Sequence, residues 1–165
     1  MITRVSLYNW RCHKNTTVEF QRGSNLIIGN MGAGKSSLVD GIVFALYGTT
    51  PALQQRKVSL KDYIMDRPSI EKEAKVSVSV RKDDDVYEIT RIINRGGGTK
   101  YAEIRCNGKL LEAESTERVT SMVEDVLGVD YDLFIRAIYQ VQNRMDAFLT
   151  MSPSERGKRI DRLLM

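Results

Sequence analysis

Polar and apolar residues alternate along "ITRVSLY" at 2–8, and a period of two predicts a strand. Two more short strands are expected, Thr17 to Phe20 after a polar turn and Asn25 to Ile28 before a glycine-rich segment. The period then lengthens. Leu38, Ile42, Ala45 and Leu46 share one face of a helix, and Gly48 stands where it should end. From Pro51 to about Ser69 the pattern is weak, which predicts irregular chain with one helical turn. In "KVSVSVRK", Val76, Val78 and Val80 face one way while Ser77, Ser79 and Arg81 face the other. "DDD" at 83–85 reads as a turn, Val86 to Asn94 as the next strand, "RGGG" at 95–98 as a loop and Asn107-Gly108 as a hairpin signal. Residues 73–111 therefore read as an antiparallel meander. Val119, Met122, Val123, Val126 and Leu127 predict an amphipathic helix ending at Gly128, with a second helix over Tyr131 to Ile138. "SPSE" at 152–155 has the composition of a helix start, and the charged helix it opens carries Ile160, Leu163 and Leu164.

Bulk properties narrow the picture only a little. The 165 residues suit one well-buried domain or one lobe of a larger one, and 42% apolar with 28% charged is ordinary for a globular protein. No stretch approaches the ~18 apolar residues of a membrane helix, and no secretory leader precedes Ile2, so an intracellular protein is expected. Cys12 and Cys106 are far apart without Cys-x-x-Cys spacing; reduced thiols are expected rather than a zinc site or disulfide. A net charge of +4 tolerates a polyanionic partner without demanding one. Repeats and low-complexity tracts are absent from the sequence.

Chemistry enters at Gly29 to Ser36, which reads G-x-x-x-x-G-K-S between a predicted strand and a predicted helix, the context that separates a phosphate-binding loop from a chance match. Gly29, Gly32 and Gly34 let the backbone wrap a phosphate chain with its N–H groups turned inward. The helix beginning near Lys35 adds the positive end of its dipole. Lys35 is expected to bridge the β- and γ-phosphates, and the Ser36 hydroxyl to ligate Mg²⁺. No N-K-x-D motif marks a guanine-specific switch protein, and Arg81, Arg91 and Arg95 fall on predicted strands rather than on a kinase lid. The acidic residue that should end an apolar strand is missing: "SMVEDVLGVD" comes nearest, but its spacing is helical.

The segment "FIRAIYQVQNRMDAFLTMSPSERGKRIDRLL" at 134–164, with "NWRCH" at 9–13 and the phosphate loop, resembles the amino-terminal ATPase lobe of SMC-like repair ATPases of the Rad-fifty/SbcC type, within the ABC-ATPase superfamily. The resemblance implies an α/β P-loop NTPase lobe (an ABC-ATPase head) with an antiparallel meander at 73–111 and a helical segment at 115–149. It makes 1–152 the lobe and 153–165 the root of a coiled coil. The family pattern Y-x-x-Q-G-Q-I-D places its metal-sensing glutamine at Gln142, with Gln140 the rival because Asn143 and Arg144 depart from the pattern. Arg11 matches the phosphate-contacting arginine of an R-S-H tripeptide, Cys12 replacing the serine; Met31 stands where the family usually has asparagine.

The implied ATP site is Arg11, Gly29, Asn30, Met31, Gly32, Ala33, Gly34, Lys35, Ser36, Ser37 and Gln142, with Lys35 and Gln142 catalytic and Ser36 and Gln142 on Mg²⁺. Residues 60–67 are expected to border the adenine, and lone His13 is expected to be structural. The implied partners are the carboxy-terminal lobe, a second copy, a double-strand-break nuclease and DNA, with no membrane and a nucleoid or cytoplasmic location. DNA contact by this chain alone is expected to be weak, since Arg156, Lys158, Arg159 and Arg162 oppose Glu155 and Asp161. The complete protein would hydrolyse ATP; this chain alone would not. The alternatives are another SMC-like or transporter-type ATPase, a small-molecule phosphotransferase, and a nucleotide-dependent binding module.

Overall fold

The computed structural model describes residues 1–139, so Gln140, Gln142 and the expected helix after Ser152 lie outside the described residues. The chain divides into two compact units, Met1–Gly128 and Val129–Met165.

The first unit is built on β1 (Ile2–Trp10) and β2 (His13–Glu19), a hairpin whose closing pair is Trp10 opposite His13. Arg11, in the tight turn between them, takes the left-handed backbone conformation at φ 50°. After the glycine-rich loop comes α1 (Lys35–Tyr47), and two short turns follow, α2 (Pro51–Gln54) and a 3-10 turn (Leu60–Tyr63), where one was expected. The meander supplies β3 (Glu73–Lys82), β4 (Asp85–Asn94), β5 (Thr99–Cys106) and β6 (Lys109–Ala113), and α3 (Thr116–Leu127) closes the unit. All six strands form one antiparallel sheet in the order β2-β1-β3-β4-β5-β6. The meander thus continues directly onto the amino-terminal hairpin.

The sheet has one apolar and one polar face, as its alternating sequence requires. Leu7 pairs with Val76 and Val5 with Val78, all buried beneath α1, while Ser6, Ser77 and Thr90 line the other face. α1 is more deeply embedded than its four-residue stripe implied. Val43, Phe44 and Tyr47 are buried as well. Gly41 permits this approach, since a Cβ there would stand 2.6 Å from Leu7 Cδ2. Of the five apolar positions expected on α3, Val119 and Val123 are fully buried; Met122, Val126 and Leu127 are half-buried.

Arg91 interrupts the apolar face. It is fully buried and donates from Nε to the Ala45 carbonyl at 2.8 Å, and from one terminal nitrogen to the Leu46 carbonyl at 3.1 Å and Thr120 Oγ1 at 2.9 Å. One side chain of β4 therefore ties the carboxyl end of α1 to α3. Burial pulls its pKa down to about 10, which leaves it charged at neutral pH and opposite the negative end of the α1 dipole.

The expected third strand is the main correction. Asn25–Ile28 belongs to no ladder among the described residues, and Leu26 and Ile28 are 84% and 82% exposed. The residues have strand composition, but no described strand lies beside them to take up their backbone hydrogen bonds.

In the second unit, Asp130 Oδ1 accepts from the Leu133 N–H at 2.7 Å and caps α4 (Tyr131–Leu133). The chain then widens into a π turn, Phe134–Ile138, closed by the Tyr139 N–H on the Phe134 carbonyl at 2.8 Å. The helix expected over Tyr131–Ile138 is present, but its second half is over-wide.

Candidate nucleotide-binding site

The loop between Gly29 and Ser36 forms an open cradle at the amino end of α1. Gly34 caps the helix at φ 91°, and Gly32 sits at φ 84°, both in the left-handed region that L side chains rarely adopt. No side chain caps the helix, and no acidic residue occupies its first turn. The positive end of α1 is therefore uncompensated, the arrangement that favours an anion.

Lys35 curls back over the loop. Its Nζ donates to the carbonyls of Gly29 at 2.7 Å and Asn30 at 2.8 Å, so the cation occupies the mouth of the cradle. Both acceptors are neutral, and an oxyanion would be the stronger partner for an ammonium. Ser36 follows on the first turn, exposed, with an oxygen suited to a hard cation such as Mg²⁺; bound there, the ion would neutralise phosphate charge. Met31 is fully exposed. Among the described residues no cluster of three or more metal-ligating side chains occurs.

The β1–β2 turn buttresses the loop from behind. His13 Nε2 lies 3.1 Å from the Gly34 carbonyl and Nδ1 lies 3.1 Å from Thr16 Oγ1. A carbonyl only accepts, so the Gly34 contact requires the proton on Nε2, and in the neutral ring Thr16 must donate to Nδ1. A Cβ on Gly34 would meet Cys12 Sγ and His13 Nε2 at 2.6 Å each. Trp10 adds a third tie, donating from Nε1 to the Ser37 carbonyl at 2.9 Å. His13 thus links the Thr16 hydroxyl to the backbone of the phosphate loop.

Arg11 sits on the same turn. Its guanidinium carbon lies 4.2 Å from the centroid of the Tyr63 ring, and its backbone N–H donates to the Tyr63 carbonyl at 2.8 Å. The structure thus brings Arg11's turn and the phosphate loop together through Cys12 and His13. Gln142 lies outside the described residues, as does its rival Gln140. Tyr63 falls within the 60–67 stretch expected near the adenine and Trp10 within the 9–13 motif, but their contact is not legible in the sequence: the ring centroids are 4.6 Å apart although 53 positions separate them, and no local period links such residues. The one available signal was the apolar "YIM" inside an otherwise polar stretch.

The AAA domain family model matches residues 4–165. A DNA double-strand break repair Rad50 ATPase of Thermoplasma volcanium is 32% identical over 99% of this chain, and one of Pyrococcus abyssi is 36% identical over 90%. The chain spans only 18% and 16% of the length of those two relatives. In shape it resembles a solved structure from work on ATP-driven dimerization and DNA-stimulated activation of SMC ATPases, with a TM-score of 0.72, 22% identity and 98% of each chain covered. The recombination mediator RecF bound to ATP gives a TM-score of 0.56 at 25% identity, over 72% of this chain and 29% of RecF. The chain belongs to the AAA domain family, and along nearly its whole length it is a relative of the Rad50 ATPases.

Proposed function

We propose that this chain is the ATP-binding half of an SMC-like DNA repair ATPase. In the complete protein, ATP-driven dimerisation of heads clamps DNA and regulates a partner nuclease at double-strand breaks. The observation that carries the nucleotide reading is the uncapped, acid-free start of α1, with Lys35 Nζ folded onto the Gly29 and Asn30 carbonyls. Binding exchanges those two carbonyls for phosphate oxygens, a charge-assisted contact in place of a neutral one. Arg11 would contact the phosphates from the hairpin side, Ser36 would supply an oxygen to Mg²⁺, and Gln142 would be the residue that senses the metal. The names of the relatives support the repair context.

Asn25–Ile28 is the observation that supports a missing second lobe. Leu26 and Ile28 form an apolar, strand-like segment with no ladder, directly before the loop. It fits a strand of the carboxy-terminal lobe, which would bring the missing acidic residue and close over the γ-phosphate. Turnover is the test. The 165-residue chain alone is expected to show negligible ATP hydrolysis, and adding the separately expressed carboxy-terminal lobe is expected to restore it. Robust hydrolysis by the chain alone, abolished by Lys35→Ala, would instead point to a self-contained phosphotransferase.

A further inference from the structure

The residue that aims Arg11 lies outside the phosphate loop and its flanking motifs. We propose that Tyr63 is a positioning residue for the nucleotide, acting through Arg11; the inference rests on the nucleotide reading above and deepens it.

Tyr63 is itself immobilised. It is fully buried, its ring stacks on Trp10 at 4.6 Å and 28°, and its hydroxyl lies 2.7 Å from Thr50 Oγ1. Burial raises the pKa of the phenol, so the ring stays neutral and its electron-rich face is kept. The chain immediately after it is pinned. Arg95 donates to the carbonyls of Ile64 at 3.1 Å, Met65 at 2.8 Å and Glu71 at 2.6 Å, and the Met65 N–H donates to the Asn9 carbonyl at 2.8 Å.

The guanidinium of Arg11 rests on this ring. A cation over a ring face gains electrostatic attraction from the π system and keeps N–H donors for an oxyanion. Arg11 Nε is buried and has no hydrogen-bond partner among the described residues. A buried donor without an acceptor is unfavourable until an acceptor arrives. A phosphate oxygen is the acceptor whose charge and geometry match the fork. The ring therefore holds the arginine in its binding rotamer before the nucleotide enters, which lowers the ordering cost of binding.

The test is a double-mutant cycle on ATP affinity by calorimetry with the 165-residue chain. Tyr63→Leu is expected to weaken ATP binding about five-fold, the range of one partly desolvated cation–π contact. Tyr63→Phe, which keeps the ring face, is expected to recover most of that loss. In the Arg11→Ala background, Tyr63→Leu is expected to change affinity less than two-fold. An equal loss in both backgrounds would reduce Tyr63 to a general structural residue and overturn the proposal. Should Tyr63→Leu fail to fold, progressively fluorinated phenylalanines at position 63 keep the shape while draining the ring face; affinity falling stepwise supports the proposal and a flat series overturns it. Lys35→Ala separates the two levels. If it leaves ATP affinity unchanged, the nucleotide reading fails; if it abolishes binding while the cycle shows no coupling, only the role of Tyr63 fails.

Discussion

A lysine that bonds two backbone carbonyls in the nucleotide-free chain has something to give up when phosphate arrives, and that sets the size of its contribution. Lys35→Ala is expected to lower ATP affinity by about 2–5 kcal/mol, the range for deleting one partner of a desolvated charge pair, and Ser36→Ala to weaken only the Mg²⁺-dependent part. Calorimetry with and without Mg²⁺ reads both. Gln142→Ala is expected to leave Mg²⁺-free binding intact and to blunt the ATP-driven response, with Gln140→Ala close to the parent; the reverse pattern would shift the glutamine register by two. Arg91 is a third residue-scale case. Its three hydrogen bonds offset part of the cost of burying the charge, while its remaining terminal nitrogen, Nη1, is buried without a partner among the described residues. Arg91→Met leaves the Ala45 and Leu46 carbonyls unpaired and is expected to cost about 2–3 kcal/mol in urea unfolding. Of these residues, Lys35 and Ser36 were legible because their spacing is local. Arg91 was not, since an arginine in an alternating strand reads as solvent-facing until α1 and α3 are known to cover that face.

At the scale of elements, sequence reading succeeded where one period governs an uninterrupted run. Val76, Val78 and Val80 all turn inward as their alternation requires. It succeeded less where the partner is distant. The 3-10 turn that carries Tyr63 has no period of its own, and its place is set by Trp10, Arg95 and Asn9. The error at Asn25–Ile28 has the opposite origin. Composition there is that of a strand, but a strand is a relation between two segments, and propensity reports only one of them. Charging the segment tests that relation. Leu26→Asp with Ile28→Asp is expected to leave the melting temperature of this chain almost unchanged, because both side chains are already solvated, and to abolish co-purification with the carboxy-terminal lobe. Co-purification undiminished by the double variant would show that the lobes meet elsewhere.

For the whole molecule, the sheet decides what is self-sufficient. Six strands joined in a single antiparallel order, with α1 and α3 on one face, bury a continuous core without help from another chain. On the proposed function, the cradle of Gly29 to Ser36 at the amino end of α1 would be complete on one side only. DNA binding should show the same incompleteness. The chain alone is expected to bind duplex DNA weakly, with log affinity falling by about 0.9 per phosphate contact against log salt and only a few contacts' worth of slope. Tight binding insensitive to salt would contradict the proposal.

The unladdered segment before the loop also has a consequence in time. In a protein as long as the Rad50 relatives, of which this chain matches 18% and 16%, several hundred residues would leave the ribosome after Ile28 before a carboxy-terminal lobe existed. At roughly 5–20 residues per second that interval is on the order of a minute, during which Leu26 and Ile28 would face solvent. Their brevity is then protective. Asn25 stops the apolar run on one side, and Gly29 and Asn30 stop it on the other, leaving three residues where a self-associating strand needs about six. A segment long enough to pair with one strand of a second lobe, and too short to nucleate with its own copies, would suit a protein whose halves are made far apart in time.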